Sequence, residues 1–264
     1  MNKGPFRKLF YDHRISIAGW LIAFVSLTAL YVAFFPVMKS SGISAALDSY
    51  PPALRDALGL ADMTSPAGFI QATVFSLVMP VVMIIFAVLA GTWVIGDDEA
   101  TGTLDLLLSQ PISRNRLVLA RTAGTLLLVV VYSFSVFASV LVVGSFVDLH
   151  PPLMKLLSAC VMLALLTATF LMITVFITCL TGQRAVARAV SGFIAVLAYL
   201  MQNFASQVPD FDSAKYVSLF YYYSGHHPLY NGFNFSDFSL LFALVILLIF
   251  ASLIAFGKRD IRSV

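Results

Sequence analysis

Six stretches of this chain run on without one charged side chain: Ile15 to Phe35, Phe69 to Ile95, Thr122 to Val147, Leu156 to Thr181, Ala189 to Val208 and Phe238 to Gly257. Each is long enough to cross a hydrocarbon core of about 30 Å, which takes about 20 helical residues. Membrane barrel strands need about half that length and alternate polar with apolar positions, a pattern these runs lack. The expected fold is therefore an all-α integral membrane protein with six transmembrane helices. No soluble stretch between the runs is long enough for a second domain, so residues 1–264 read as one transmembrane unit. Composition agrees, with 60% hydrophobic and only 11% charged residues, against about 25% charged in a soluble domain. A net charge of +3 without a lysine or arginine tract excludes an electrostatic nucleic-acid binder.

The loops orient the spans, because Lys and Arg near span ends collect on the cytoplasmic side. One side holds Lys3, Arg7, Lys8, Arg14, Arg114, Arg116, Arg121, Arg184, Arg188, Lys258, Arg259 and Arg262, and the other only Lys39, Arg55, Lys155 and Lys215. Both termini are expected to be cytoplasmic. The first run exceeds the apolar region of a signal peptide and ends in no A-x-A site, so it reads as a retained anchor. Ahead of it, Phe6, Leu9, Phe10 and His13 recur at helical spacing, with Lys3, Arg7, Lys8 and Arg14 at other positions. That pattern suits an interfacial helix with its aromatic face in acyl chains and its basic residues at headgroups; a solvated basic tail is the plainer reading.

Several features carry less. Cys160 and Cys179 lie in one run, roughly 28 Å apart as helix, and read as buried apolar residues. Pro80 and Gly192 are tolerated inside spans without functional cause. Met162, Thr167, Thr169, Phe170, Met172, Thr174 and Thr178 in the fourth run suit either an amphipathic cargo or plain helix packing. The aromatic-rich segment from Pro209 to Asp237 reads either as an interfacial belt or as short helices dipping back into the membrane. His226 and His227 read as a solvated pair rather than a metal site, since no third ligand accompanies them.

The most informative segment is Gly96 to Arg121, GDDEATGTLDLLLSQPISRNRLVLAR. Asp97, Asp98 and Glu99 close the second span, and Thr101 or Thr103 can cap a following helix. Leu104, Leu107 and Leu108 fall on one face of it, Pro111 stops it after about two turns, and Ser113 caps a basic helix running into the third span. From the residues alone this is a docking element or an ordinary interfacial loop.

The run from Asp98 to Arg114, an acidic pair followed by T-G-T-L, a leucine run, S-x-P and S-R between the second and third of six spans, resembles the signature of the ABC type-2 transporter permease family. The six-span layout, the amphipathic N-terminus and Trp20 early in the first span fit the same family. Phe220 to Phe233, FYYYSGHHPLYNGF, resembles the segment before the last span in bacterial members. The resemblance implies the membrane-spanning subunit of an ATP-binding cassette exporter in a bacterial cell membrane. It also implies a separate ATPase subunit carrying ATP and Mg, and a second permease copy or homologue in a 2:2 complex. It makes Thr103 to Gln110 a coupling helix and assigns contact with the ATPase to Asp97, Asp98, Glu99, Thr101, Gly102, Thr103, Leu104, Leu107, Leu108, Pro111 and Arg114. The chain has no GxxxxGK[ST] phosphate loop, so no cofactor and no catalytic residue is expected in it. The short loop from Thr181 to Arg188 is a second candidate contact, or simply an orienting pair of arginines. A secondary transporter or an intramembrane enzyme would place ionisable groups or a nucleophile with its base inside the spans, and the six runs hold none. Antibiotic or peptide export is the cargo expected within the family, with sodium, polysaccharide and metalloenzyme maturation open.

Overall fold

The computed structural model describes residues 4–38, 65–104, 113–204 and 216–259. Within them the chain is helical, with no strand, and six helices are long and apolar enough to cross a membrane: Arg14–Met38, Pro66–Val94, Arg114–Phe146, Leu153–Thr181, Arg184–Gln202 and Phe235–Lys258. Most begin before the uncharged run that marks them. The third starts at Arg114, where Ser113 caps it by accepting from Arg116 N at 3.4 Å, and the fifth starts at Arg184. A helix does not stop where charge begins, so the terminal arginines ride on the spans, and the spans are not free of charge as the runs suggested.

The fourth span is the axis of the bundle, packed against the second, third, fifth and sixth. In lipid no hydrophobic drive pulls helices together, so close approach through small residues and interhelical hydrogen bonds does that work. Gly91 supplies one approach, since a Cβ there would lie 2.6 Å from Thr174 Cβ. Ser133 supplies a bond, donating across to Cys160 O at 2.6 Å. Trp20, Phe24, Phe86 and Tyr132 form a ring cluster that joins the first three spans, and the Tyr132 hydroxyl donates to Ile17 O at 3.0 Å.

Thr167, Thr169, Thr174 and Thr178 are fully buried and donate to carbonyls of their own helix four residues back. These hydroxyls are satisfied locally, the arrangement that plain helix packing gives. Cys160 and Cys179 are both buried free thiols on this span.

The N-terminal helix Pro5–Asp12 corrects an expectation. Its apolar face meets protein as well: Leu9 is 1% exposed, and Leu9, Phe10 and Phe6 converge on Gly124 of the third span. A residue without a side chain lets the helix settle there. Lys8 likewise turns inward, 3.6 Å from Asp98, rather than to a headgroup.

At the opposite end, the helix Leu219–Ser224 and the wider turn His227–Asn231 bury Phe220, Tyr223, Pro228 and Leu229 against the bundle. This part of the aromatic segment folds back into the bundle as short helices. His226 and His227 are both exposed, as a solvated pair would be, and His226 Nδ1 also pairs with the buried carboxylate of Asp237 at the start of the sixth span. Among the described residues no three His, Cys, Asp or Glu side chains are placed to hold a metal ion together.

Candidate functional site: an acidic hub at one end of the bundle

The second span ends in a tight turn, Thr92–Val94, and the chain then forms a five-residue helix, Gly96–Ala100, carrying Asp97, Asp98 and Glu99 in its first turn. The Thr-Gly-Thr triplet that follows is a helix stop. Gly102 takes the left-handed conformation, φ +69°, Gly102 N bonds to Glu99 O at 3.2 Å, and Thr103 N reaches Asp98 O at 2.8 Å. These two bonds are the crossed pair that satisfies the last carbonyls of a helix. The threonine hydroxyls add to this closure: Thr101 Oγ1 donates to Asp97 O at 2.9 Å and Thr103 Oγ1 to Asp98 Oδ1 at 3.0 Å. The N–H groups that one of them was expected to cap belong to residues outside the described ones.

Each acid then holds a different part of the bundle. Asp97 faces Arg184 and Arg188 of the fifth span at 3.5 and 3.4 Å, and Arg188 also donates to Thr92 Oγ1 at 2.7 Å. Asp98 pairs with Arg121 of the third span and with Lys8 of the N-terminal helix. Glu99 pairs with Arg259, which follows the sixth span and donates to Thr178 O and Cys179 O at the end of the fourth. The loop from Thr181 to Arg188 is therefore more than an orienting charge, because it is tied to the acidic helix. Gly182 is required in it: φ is +72°, and a Cβ would meet the Glu99 carboxylate and lie 2.8 Å from Arg259 Nη2.

Arg121 is the residue that run-counting missed. It is 2% exposed and donates to Val94 O at 3.0 Å as well as to Asp98, so a full charge is buried where the second span unwinds. Burial by itself would raise the Asp98 pKa, but the bond and charge of Arg121, with Lys8 behind it, hold the carboxyl below its usual range. His13 stacks on Trp93 with centroids 4.2 Å apart and planes within 6°. Burial lowers its pKa below 6.5, against the opposing pull of Asp97, Asp12 and Asp98, while Arg121 lowers it further. A cavity of about 330 Å³ lies between the two short helices, edged by Lys8, His13, Trp93 and Asp98.

Of the residues assigned to ATPase contact, Asp97, Asp98 and Glu99 are thus joined to each other's surroundings by partners within this chain. Thr101 and Gly102 are exposed, Thr103 is half-buried and Leu104 is 2% exposed. Arg114 donates to Arg259 O at 3.0 Å. Leu107, Leu108 and Pro111 lie outside the described residues. Of the interfacial set, Leu9 is enclosed, Phe10 half-buried and Phe6 38% exposed.

No curated protein and no solved structure matched the chain. A family model did, the one described as ABC-2 family transporter protein, over residues 6–261. With nearly the whole length matched, including all six spans and the acidic hub, the chain belongs to the ABC-2 family of transporter proteins, as a multi-pass transmembrane subunit.

Proposed function

We propose that this chain is the permease half of an ATP-driven exporter, and that the segment from Thr103 to Gln110 receives motion from a separate ATPase subunit. The observation that carries the reading is the placement of the acidic helix. It adjoins that segment directly in sequence, and its three carboxylates reach the third, fifth and sixth spans, the N-terminal helix and, through Arg259, the end of the fourth. A push on the adjoining segment is therefore delivered to the whole bundle at once. Leu107 and Leu108 serve as apolar anchors in a groove of the ATPase, while the acids transmit inside the permease rather than bind outside it. In this reading ATP and Mg belong to the ATPase, the charged end of the bundle is cytoplasmic, the membrane is that of a bacterial cell, and two permeases stand over two ATPases.

The test is the Leu107→Asp, Leu108→Asp double variant. It is expected to insert normally and to lose ATPase co-purification and transport-linked hydrolysis. Normal export with normal co-purification would overturn the reading. Native mass spectrometry of the co-expressed pair reads the 2:2 stoichiometry.

A further inference from the structure

The change of winding in the second span is completed from outside the span. Pro66–Ile70 is α-helical, Gln71–Val78 takes the wider π winding, and Met79–Gly91 returns to α. In π winding an N–H reaches back five residues instead of four, as Met79 N does to Val74 O. The next residue is Pro80, which has no N–H to give. In that register its partner would have been Phe75 O. Phe75 is 1% exposed, and a carbonyl left unmet there is costly in a membrane. The hydroxyls nearby are used on other carbonyls, Thr73 on Phe69 O and Ser76 on Gln71 O. Phe75 O is met instead by the Tyr223 hydroxyl at 2.8 Å, from the short helix Leu219–Ser224.

We propose that Tyr223 is a positioning residue that holds the π-wound stretch of the second span in register by standing in for the N–H that Pro80 lacks. A backbone donor cannot leave its helix, whereas a phenol on another segment can withdraw and return without any helix unwinding. The π-wound stretch is thus a joint with a removable pin, and the pin belongs to the re-entrant segment at the end opposite the acidic hub. The same span runs on through Trp93 into Gly96–Ala100, so one helix links the pin to the hub. That last link rests on the coupling proposed above; the pin itself does not.

A double-mutant cycle tests it on the purified full chain, read by melting temperature and by amide exchange over residues 71–82. Tyr223→Phe removes only the hydroxyl and is expected to lower the melting temperature by about 2–4 °C and to speed exchange in that window. Pro80→Ala restores an N–H at residue 80, so in that background Tyr223→Phe should cost less than half as much. Pro80→Ser serves the same purpose should the alanine variant fold poorly. Ser218→Ala is the control: it breaks a different anchor of the re-entrant segment, the 2.6 Å bond to Ala198 O, and should cost the same in both backgrounds. Equal cost of Tyr223→Phe in both backgrounds, or no cost in either, would overturn the proposal. A coupled cycle alongside unchanged ATP-driven turnover in Tyr223→Phe would keep the pin and remove the coupling reading.

Discussion

The two ends of this bundle are fastened by different forces. At the charged end, three consecutive carboxylates meet cations from four separate elements. At the other end the fastening is neutral and aromatic: Tyr199 and Phe170 against Phe220, Tyr223 on Phe75 O, and Ser218 on Ala198 O, with His226 and Asp237 as the one charged exception among the described residues. Ion pairs reach several partners from one short helix, and they respond to salt and protons. Ring packing is short-ranged and indifferent to both. The charged end is therefore suited to receiving a signal from a water-soluble partner, and the aromatic end to sealing and pinning.

The sharpest way to break that contrast is Arg121→Ala. Removing one partner of a buried pair costs about 3–5 kcal/mol; here Asp98 would keep only the looser contact to Lys8, and Arg121 also holds Val94 O. The variant is expected to show the largest drop in thermal stability of any single change at either end, with Asp98→Asn close behind. A drop no larger than that of Tyr223→Phe would erase the distinction between the ends.

Gly182→Ala comes next. A side chain in the left-handed conformation costs about 1–2 kcal/mol, and here it also meets the Glu99 carboxylate held by Arg259. Gly102→Ala, at the other left-handed turn of this end, φ +69°, has nothing within 4 Å of its added Cβ, so only the backbone cost is expected. Comparing the two melting curves isolates what displacing the ion pair adds.

Protons should separate the ends as well. With the His13 pKa lowered by burial, the unfolded chain takes up a proton below about 6.5 that the folded chain resists, so stability falls as pH drops through that value. Asp98 acts in a lower window: its depressed pKa contributes stability that is present above about 3.9 and lost as pH falls through the lower folded value. His13→Asn is expected to flatten the melting-temperature profile between pH 7 and 6 while leaving the Asp98 step. An unchanged slope in that variant would remove His13 from the hub's electrostatics.

The smallest effect is reserved for Arg184→Gln. Its pair with Asp97 is half exposed, where such contacts are worth about 0–1 kcal/mol and are screened by salt. The expected loss is near the limit of measurement in dilute buffer and absent at high salt, whereas the Arg121→Ala loss should persist.

The spans were legible from residue 15 to 257 because an apolar helix has to be uncharged where lipid surrounds it, and nothing else produces such runs. Their ends were not, because Arg114, Arg121, Arg184 and Arg188 belong to helices while carrying the charge that appears to end them. The acidic triplet was legible as a feature, since acids beside a span end need a reason. Its partners were not: Arg121 follows Asp98 by 23 residues and Arg259 follows Glu99 by 160, separations that no local pattern encodes. The N-terminal helix was read correctly as amphipathic, yet what its apolar face would meet depended on Gly124, and an amphipathic pattern does not say whether lipid or protein lies opposite.

The threonines of the fourth span have one more consequence. A proton crosses a membrane along a file of groups that can each accept from one neighbour and give to the next, and every link must be free to turn. Thr167, Thr169, Thr174 and Thr178 are fixed on their own helix and shut away from water, so these four offer no such file. The fourth span is polar in composition, yet at these positions its hydroxyls are wired only to their own backbone and hand nothing on from one turn to the next.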